Sequence, residues 1–187
     1  LCPFSYSYKI EAEFVNSSYS SESNSYSATP VSLLNQITTS IKRSTVINNE
    51  SILTEWYEPN QYGEYVSAYI IYRADDSNPS LFKFIDKITK GTLRYEDFDV
   101  NVNEHNYQYK IEVENICHER TGYTNISGNI LLNSKLNDMN NSVLEWSPYK
   151  EWKDGVERYE IQRQDENGNW KTIKTVDGKT QQFEEEN

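Results

Sequence analysis

The residues of this chain best suited to chemistry are two cysteines, two histidines and two acidic runs. His118 directly follows Cys117. A cysteine beside a histidine can act as an activated nucleophile or as half of a zinc site. A structural zinc site takes about four such ligands, and no third one lies at ligand spacing, so the pair reads as a loop histidine next to a structural cysteine. His105 stands in the turn before a strand-like stretch. Glu96, Asp97 and Asp99 form one acidic run, and Glu184, Glu185 and Glu186 form the other. Carboxylates so placed could give oxygen ligands to calcium, but the Asp-x-Asp-x-Asp spacing of a calcium loop is missing. The two runs occupy equivalent places in a repeat, which favours a shared structural role as solvated strand ends. No Gly-rich phosphate loop and no G-x-S-x-G elbow occurs. The expectation is a chain that is not an enzyme, with no catalytic residues and no cofactor, calcium being the one ion left open.

Charge and composition narrow the partners. A net charge of −11 opposes binding to nucleic acid or to an anionic membrane surface, both of which need clustered Lys and Arg. No apolar run approaches the length of a membrane span. The first residues, LCPFSYSY, lack the basic start and apolar middle of a signal peptide. Fifteen tyrosines among many Ser, Asn and Thr, with only seven glycines, favour strands over helices. A 36% hydrophobic content suits two or more small cores better than one large one.

The elements that must position these residues recur along the chain. YSYKIEAEF at 6–14 returns as YQYKIEVEN at 107–115, 101 positions on. Tyr107, Tyr109, Ile111 and Val113 alternate with Gln108, Lys110, Glu112 and Glu114, the pattern of a strand with one buried and one wet face. A second repeat has an offset of 90: SILTEW at 51–56 returns as SVLEW at 142–146, and Tyr69, Ile71 and Arg73 return as Tyr159, Ile161 and Arg163. TLRYED at 92–97 then corresponds to TQQFEE at 180–185. One full unit therefore runs SILTEW, YIIYR, FKFIDKI, TLRYED, YQYKIEVEN. Residues 1–35 hold the end of a unit, 36–128 a whole one, and 129–187 the beginning of a third. The simplest expectation is an excerpt of a longer chain.

Each unit contains about seven short strands and no convincing amphipathic helix, which predicts an all-β fold of tandem two-sheet sandwiches, one complete and two partial. ENGN at 166–169 and DDSNPS at 75–80 occupy the same hairpin turn in two units. Trp56, Tyr69, Tyr107 and Tyr109 are the core candidates of the complete unit, with Trp146 and Tyr159 their counterparts in the third. Ile52 and Thr54 share a strand face with Trp56, whereas the third unit offers Leu144; a bulge would reconcile the two phases.

The early Trp, the central Tyr-x-Ile and the late Tyr-x-Tyr resemble the pattern of fibronectin type III modules, an Ig-like sandwich family. Tyr107 and Tyr6 match the position of that family's tyrosine corner. More narrowly, WSPYKEWKDGVERYEIQR at 146–163, with NIC at 115–117 and TNISGNILL at 124–132, resembles modules of large Bacteroidota surface proteins. Those are similar to gliding-motility adhesins and other type 9 secretion cargo. His118 departs from the Gly often found after that Cys, and no C-terminal secretion domain lies within these residues.

The resemblance carries several expectations. In such sandwiches Cys2 would fall in the loop entering the sixth strand of its unit, near the exit, and Cys117 just past the sixth strand of the next, near the entrance. Stacked head to tail, the two would meet in a Cys2–Cys117 disulfide; the alternatives are free thiols or pairing elsewhere. Such a bond implies an oxidising compartment, hence a secreted or cell-surface location. Tyr149 and Trp152 would lie in a loop at the entrance of the third unit, and Tyr62 and Tyr65 in the comparable loop of the second. Both pairs would pack a module junction or bind a sugar or protein ligand. The function implied is a rigid spacer, its partners the neighbouring modules and secretion or surface-anchoring machinery. A ligand-binding module and an accessory region of a secreted enzyme are the rivals.

Overall fold

The structure is a computed structural model and describes residues 2, 5–13, 15–16, 18–29, 36–150, 152 and 154–185. It is all-β, with a short 3-10 turn at Gly63–Tyr65. The boundary expected near residue 35 falls at the edge of 30–35, outside the described residues, as does Glu186.

The first segment forms one long, interrupted hairpin. β1 (Tyr6–Tyr8) pairs antiparallel with β4 (Tyr26–Ala28), and β2 (Glu11–Glu13) with β3 (Ser20–Glu22). Between the two ladders, Ser23 N–H donates to the Ile10 carbonyl and Ile10 N–H to Ser23 Oγ. Every strand residue here is exposed, including Tyr6 and Tyr8.

The central segment is a complete sandwich. One sheet has the order β5 (Ile41–Ile47), β6 (Ser51–Trp56), β9 (Arg94–Asp97). The other runs β11 (Arg120–Tyr123), β10 (Tyr107–Asn115), β7 (Val66–Asp75), β8 (Lys83–Thr89), and β12 (Ser127–Gly128) also pairs with β10. Between the sheets lie Ile37, Ile52, Trp56, Tyr69, Ile71, Tyr109 and Ile111, all essentially inaccessible to solvent. Trp56 meets Tyr69 edge-on, with ring centroids 5.3 Å apart. Tyr107 is buried, and its Oη accepts from Asn101 N–H at 2.9 Å, which ties the sixth strand to the loop before it.

The alternation in β10 holds only in part. Its outer face is not wet throughout, because Glu112 and Glu114 are buried beneath Tyr72, Arg120 and Lys87.

The third segment repeats the first five strands of that plan. β13 (Leu132–Leu136), β14 (Ser142–Trp146) and β17 (Gln182–Glu185) form one sheet, and β15 (Arg158–Gln164) with β16 (Trp170–Asp177) the other. Trp146 meets Tyr159 edge-on at 5.6 Å, the counterpart of Trp56 and Tyr69. Tyr159 is half-buried, less so than Tyr69, since among the described residues no strand lies on the outer side of β15. The expected bulge is absent from β14, which pairs with β13 in unbroken register from Leu132↔Trp146 to Leu136↔Ser142. Leu144 keeps the phase of Trp146 and lines the same groove. In the hairpin turn before Trp170, Asp165 accepts from the N–H groups of Asn167 and Asn169, and Gly168 supplies the positive φ of 84°. Asp75 accepts from Ser77 and Asn78 N–H in the matching turn.

Candidate functional site at the module junctions

At the first junction Cys2 is bonded to Cys117, with their Cα atoms 5.3 Å apart across 115 residues of chain. The turn that presents Cys117 is built by Asn115, fully buried at the end of β10. Its Oδ1 accepts from Cys117 N–H at 2.8 Å and from Glu119 N–H at 3.0 Å. Ile116 N–H donates to the Tyr65 carbonyl, and Cys117, Tyr62 and Tyr65 all pack on the rim of the central core. Tyr62 and Tyr65 stand 6.4 Å apart there, both half-buried. His118 has a positive φ of 59° and an exposed ring, with Nδ1 3.4 Å from Glu114. Glu114 Oε1 also accepts from Lys87 Nζ at 2.7 Å. The Lys87 hydrogen bond holds this carboxyl below its ordinary range, against the opposing effect of burial.

At the second junction only Asn129, Ile130 and Leu131 separate β12 from β13. Gly128 permits the close approach, since a Cβ there would lie 2.4 Å from the Tyr107 carbonyl oxygen. Asn129, itself buried, accepts Tyr107 N–H at 2.7 Å, and its carbonyl accepts from Asn106 Nδ2. Asn106 Nδ2 also donates to Ser147 Oγ at 3.1 Å, which accepts Leu131 N–H at 2.9 Å. Tyr149 and Trp152 then reach back to the central sandwich with ring centroids 4.5 Å apart. Tyr149 Oη accepts Ser44 N–H at 3.0 Å and lies 3.0 Å from Ser127 Oγ. Trp152 Nε1 donates to the Lys42 carbonyl at 2.8 Å. These bonds cap the outer edge of β5, whose N–H and C=O groups would otherwise be open to other strands. Beside them lies an open cleft of about 450 Å³ lined in part by Arg43, Trp152, Arg158 and Tyr159.

One member of the acidic runs, Asp97, departs from the solvated strand ends expected of them. Asp99 is exposed, but Asp97 is only 1% exposed. Asp97 Oδ2 accepts from Arg73 Nη1 and from Tyr109 Oη, each at 2.8 Å. Burial, then the charge of Asp97, raises the pKa of Tyr109 far above its ordinary range. Arg163 and Glu185 make the matching pair in the third segment at 2.6 Å. Ser51 Oγ donates to Glu96, and Glu184 accepts from Asn137 and Asn141. Among the described residues no three His, Cys, Asp or Glu are gathered for a metal ion. His105 hydrogen-bonds Asp76 at 2.8 Å, which raises its pKa.

Sequence reasoning missed the Asn106–Asn129–Ser147 joint, which carries no motif. It also missed an aromatic patch on the outer face of the β10 sheet. There Lys110 Nζ lies 3.7 Å from the Tyr123 ring centroid, and Tyr72 and Phe82 stand nearby. The recurrence of Arg73 as Arg163 and of the acid at 97 as Glu185 was a signal for the Arg–carboxylate pair.

No known family pattern matches this sequence, and no curated protein aligns with it. Among solved structures, pectate lyase PelI from Erwinia chrysanthemi in complex with tetragalacturonic acid is similar at TM-score 0.40 and 21% identity, over 48% of this chain and 27% of that one. An Fn3-like protein from Clostridium thermocellum gives TM-score 0.40 and 13% identity over 54% of this chain and 97% of its own. The FN1-FN3 domains of chicken CNTN1 give 0.38 and 12% over 95% and 66%. The chain thus spans about a quarter of the length of the pectate lyase. Among the described residues no helix is long and apolar enough to cross a membrane.

Proposed function

We propose that these residues are a spacing segment of a long secreted or cell-surface protein, a stiff run of fibronectin type III-like sandwiches that projects another domain. The observation that carries this reading is that both junctions are tied. A disulfide spans the first, and side-chain bonds from Tyr149 and Trp152 to the backbone of β5 span the second. The sequence resemblance of residues 146–163 supports a parent of the gliding-adhesin type, exported by a type 9 route and partnered by its neighbouring modules and its anchoring machinery. The same spacing would serve an accessory region beside the catalytic domain of a secreted enzyme. Within these residues we infer a non-catalytic role, because Asp97, Glu112, Glu114 and His105 are engaged in structural pairs. The test is an end-to-end distance distribution between fluorophores on β4 and β16. A narrow distribution that broadens on reduction supports the spacer, and one already broad in the oxidised chain refutes it.

A second reading rests on the outer patch. Tyr72 makes edge-on contacts with Phe84 and Tyr123, both more than half exposed, and Lys110 lies over the Tyr72 and Tyr123 rings. Such a patch favours binding of a carbohydrate or protein ligand there. Ligand contact through Tyr149 and Trp152 is less favoured, since their polar atoms are bonded to the central sandwich. Loss of surface binding in Tyr123→Ala, with the distance distribution unchanged, would favour this second role.

A further inference from the structure

The outer face of the β10 sheet carries rings and cations in one row. Phe84 on β8, Tyr72 on β7 and Tyr123 on β11 follow one another across the sheet, with ring centroids 6.4 and 5.6 Å apart at the two steps. Lys110 of β10 stands among them, its Nζ 3.7 Å from the Tyr123 centroid and 4.7 Å from that of Phe82. All these strands belong to the complete central sandwich. The row crosses β10 in its middle, where Glu112 pairs with Tyr123, between the ends tied at Tyr107 and Asn115.

The chain as a whole carries −11, yet this face presents positive charge to solvent. Its carboxylates lie underneath. The side chains of Glu112 and Glu114 are only 11% and 8% exposed, beneath Arg120 and Lys87 at 49% and 48%. Glu112 is bonded to Tyr72 Oη and Arg120, and Glu114 to Lys87. Lys110 has rings for neighbours, and among the described residues no carboxylate pairs with it. Rings hold a cation without neutralising it, so its charge stays available to an anion. The aliphatic side chains of this face add little, since Ala68, Ile70 and Ala74 are buried.

We propose that this face binds an acidic polysaccharide, a chain of sugar rings bearing carboxylate or sulfate groups. The inference rests on the ligand-binding reading of the patch and names its ligand. The C–H groups on the flat side of a pyranose carry slight positive charge and pack on aromatic side chains, whose ring faces are negative. Lys110 and Arg120 then hold the anionic groups through charge-assisted hydrogen bonds. The row spans three strand spacings of about 4.8 Å, room for a short run of sugar rings. An acidic peptide brings the charge without the sugar rings, and a neutral glycan brings the rings without the charge. An acidic polysaccharide uses both halves of the patch.

The test is an NMR titration of residues 1–187 with alginate, a carboxylated probe, and with dextran sulfate, a sulfated one. Dextran and poly-glutamate are the uncharged and the ringless controls. At about 0.01 M salt at least one acidic glycan should shift the amides of Tyr72, Phe84, Lys110 and Tyr123, and the shifts should shrink at about 0.15 M. A response to one acidic glycan and not the other identifies the anionic group. Lys110→Gln should weaken this binding about tenfold. Lys174→Gln makes the same change of net charge at an exposed site of β16 and should leave binding unchanged. If Lys110→Gln lowers the unfolding midpoint, Phe84→Ala carries the test, because that ring is exposed and its loss should weaken binding without unfolding the sheet.

Three results would each overturn the proposal: no shift at these amides with either acidic glycan, equal weakening by Lys110→Gln and Lys174→Gln, or dextran or poly-glutamate binding as well as the acidic glycans. Equal binding of poly-glutamate would point to an acidic protein partner instead. Dextran binding that Tyr123→Ala removes and Lys110→Gln leaves unchanged would overturn the acidic ligand alone, and the patch would remain a binding surface.

Discussion

Arg73 Nη1 lies 2.8 Å from Asp97 Oδ2 inside the central sandwich, and Tyr109 Oη donates to the same oxygen. The side chain of Asp97 is 2% exposed, so removal of its charge strands a half-buried guanidinium and a buried hydroxyl. Asp97→Ala is expected to lower unfolding free energy by about 3 kcal/mol, measured by urea denaturation. The matching Arg163 is 66% exposed. Arg163→Ala should therefore cost no more than about 1 kcal/mol, which separates burial from pairing as the cause. Equal losses at the two sites would contradict this account.

The disulfide offers a second measurement. Cys2→Ser opens a covalent loop of 115 residues and is expected to cost about 2–4 kcal/mol of stability. Hydrogen exchange should accelerate in the first hairpin, whose strand residues are exposed and have little packing of their own. Exchange in β7 should change least, because its core neighbours Trp56, Tyr109 and Ile111 do not depend on the bridge. Uniform acceleration in both places would show that the bridge supports the whole sandwich.

Much of the fold was legible in the sequence because burial here follows a two-residue period. Trp56, Tyr69 and Tyr109 stand where alternation and recurrence put them. The buried carboxylates were not legible. Asp97 looks like any acid at a strand end until the fold brings Arg73 from β7 beside it. Glu112 and Glu114 sit at wet positions of the alternation, yet long side chains from neighbouring strands cover them. The Asn129 joint is legible only in three dimensions, since its partners Asn106 and Ser147 share no pattern with it.

Two titrations should follow from these contacts. Glu114 has a lowered pKa in the folded state, chiefly through Lys87. Its contribution to stability is present above the ordinary value of 4.5 and is lost as pH falls through the lower folded value. Lys87→Gln should weaken that acid-side loss, seen as a flatter dependence of urea midpoint on pH below about 5. His105 has the opposite sign: its pKa is raised above 6.5 by Asp76. Its contribution is present below 6.5 and lost as pH rises through the folded value. An NMR titration of His105 should show that upward displacement, and Asp76→Asn should reduce it, leaving the smaller effects of Asp75 and Glu104.

The second junction yields the most local measurement. Ser44 is buried on the outer edge of β5, and its N–H has Tyr149 Oη as acceptor from the next module. Tyr149→Phe keeps the ring against Trp152 but removes that oxygen, leaving the amide without its acceptor. The cost is about 1–2 kcal/mol, borne by the contact between modules and not by the core of either. Amide exchange at Ser44 should therefore rise about tenfold or more, while that of Ile71 in the middle of β7 stays unchanged. Trp152→Phe removes the bond to the Lys42 carbonyl and should add to this effect, because both bonds close the same edge. Unchanged protection of Ser44 in Tyr149→Phe would mean that water replaces the hydroxyl freely. The junction would then be a wet contact with little stiffness, and the spacer role would rest on the disulfide alone.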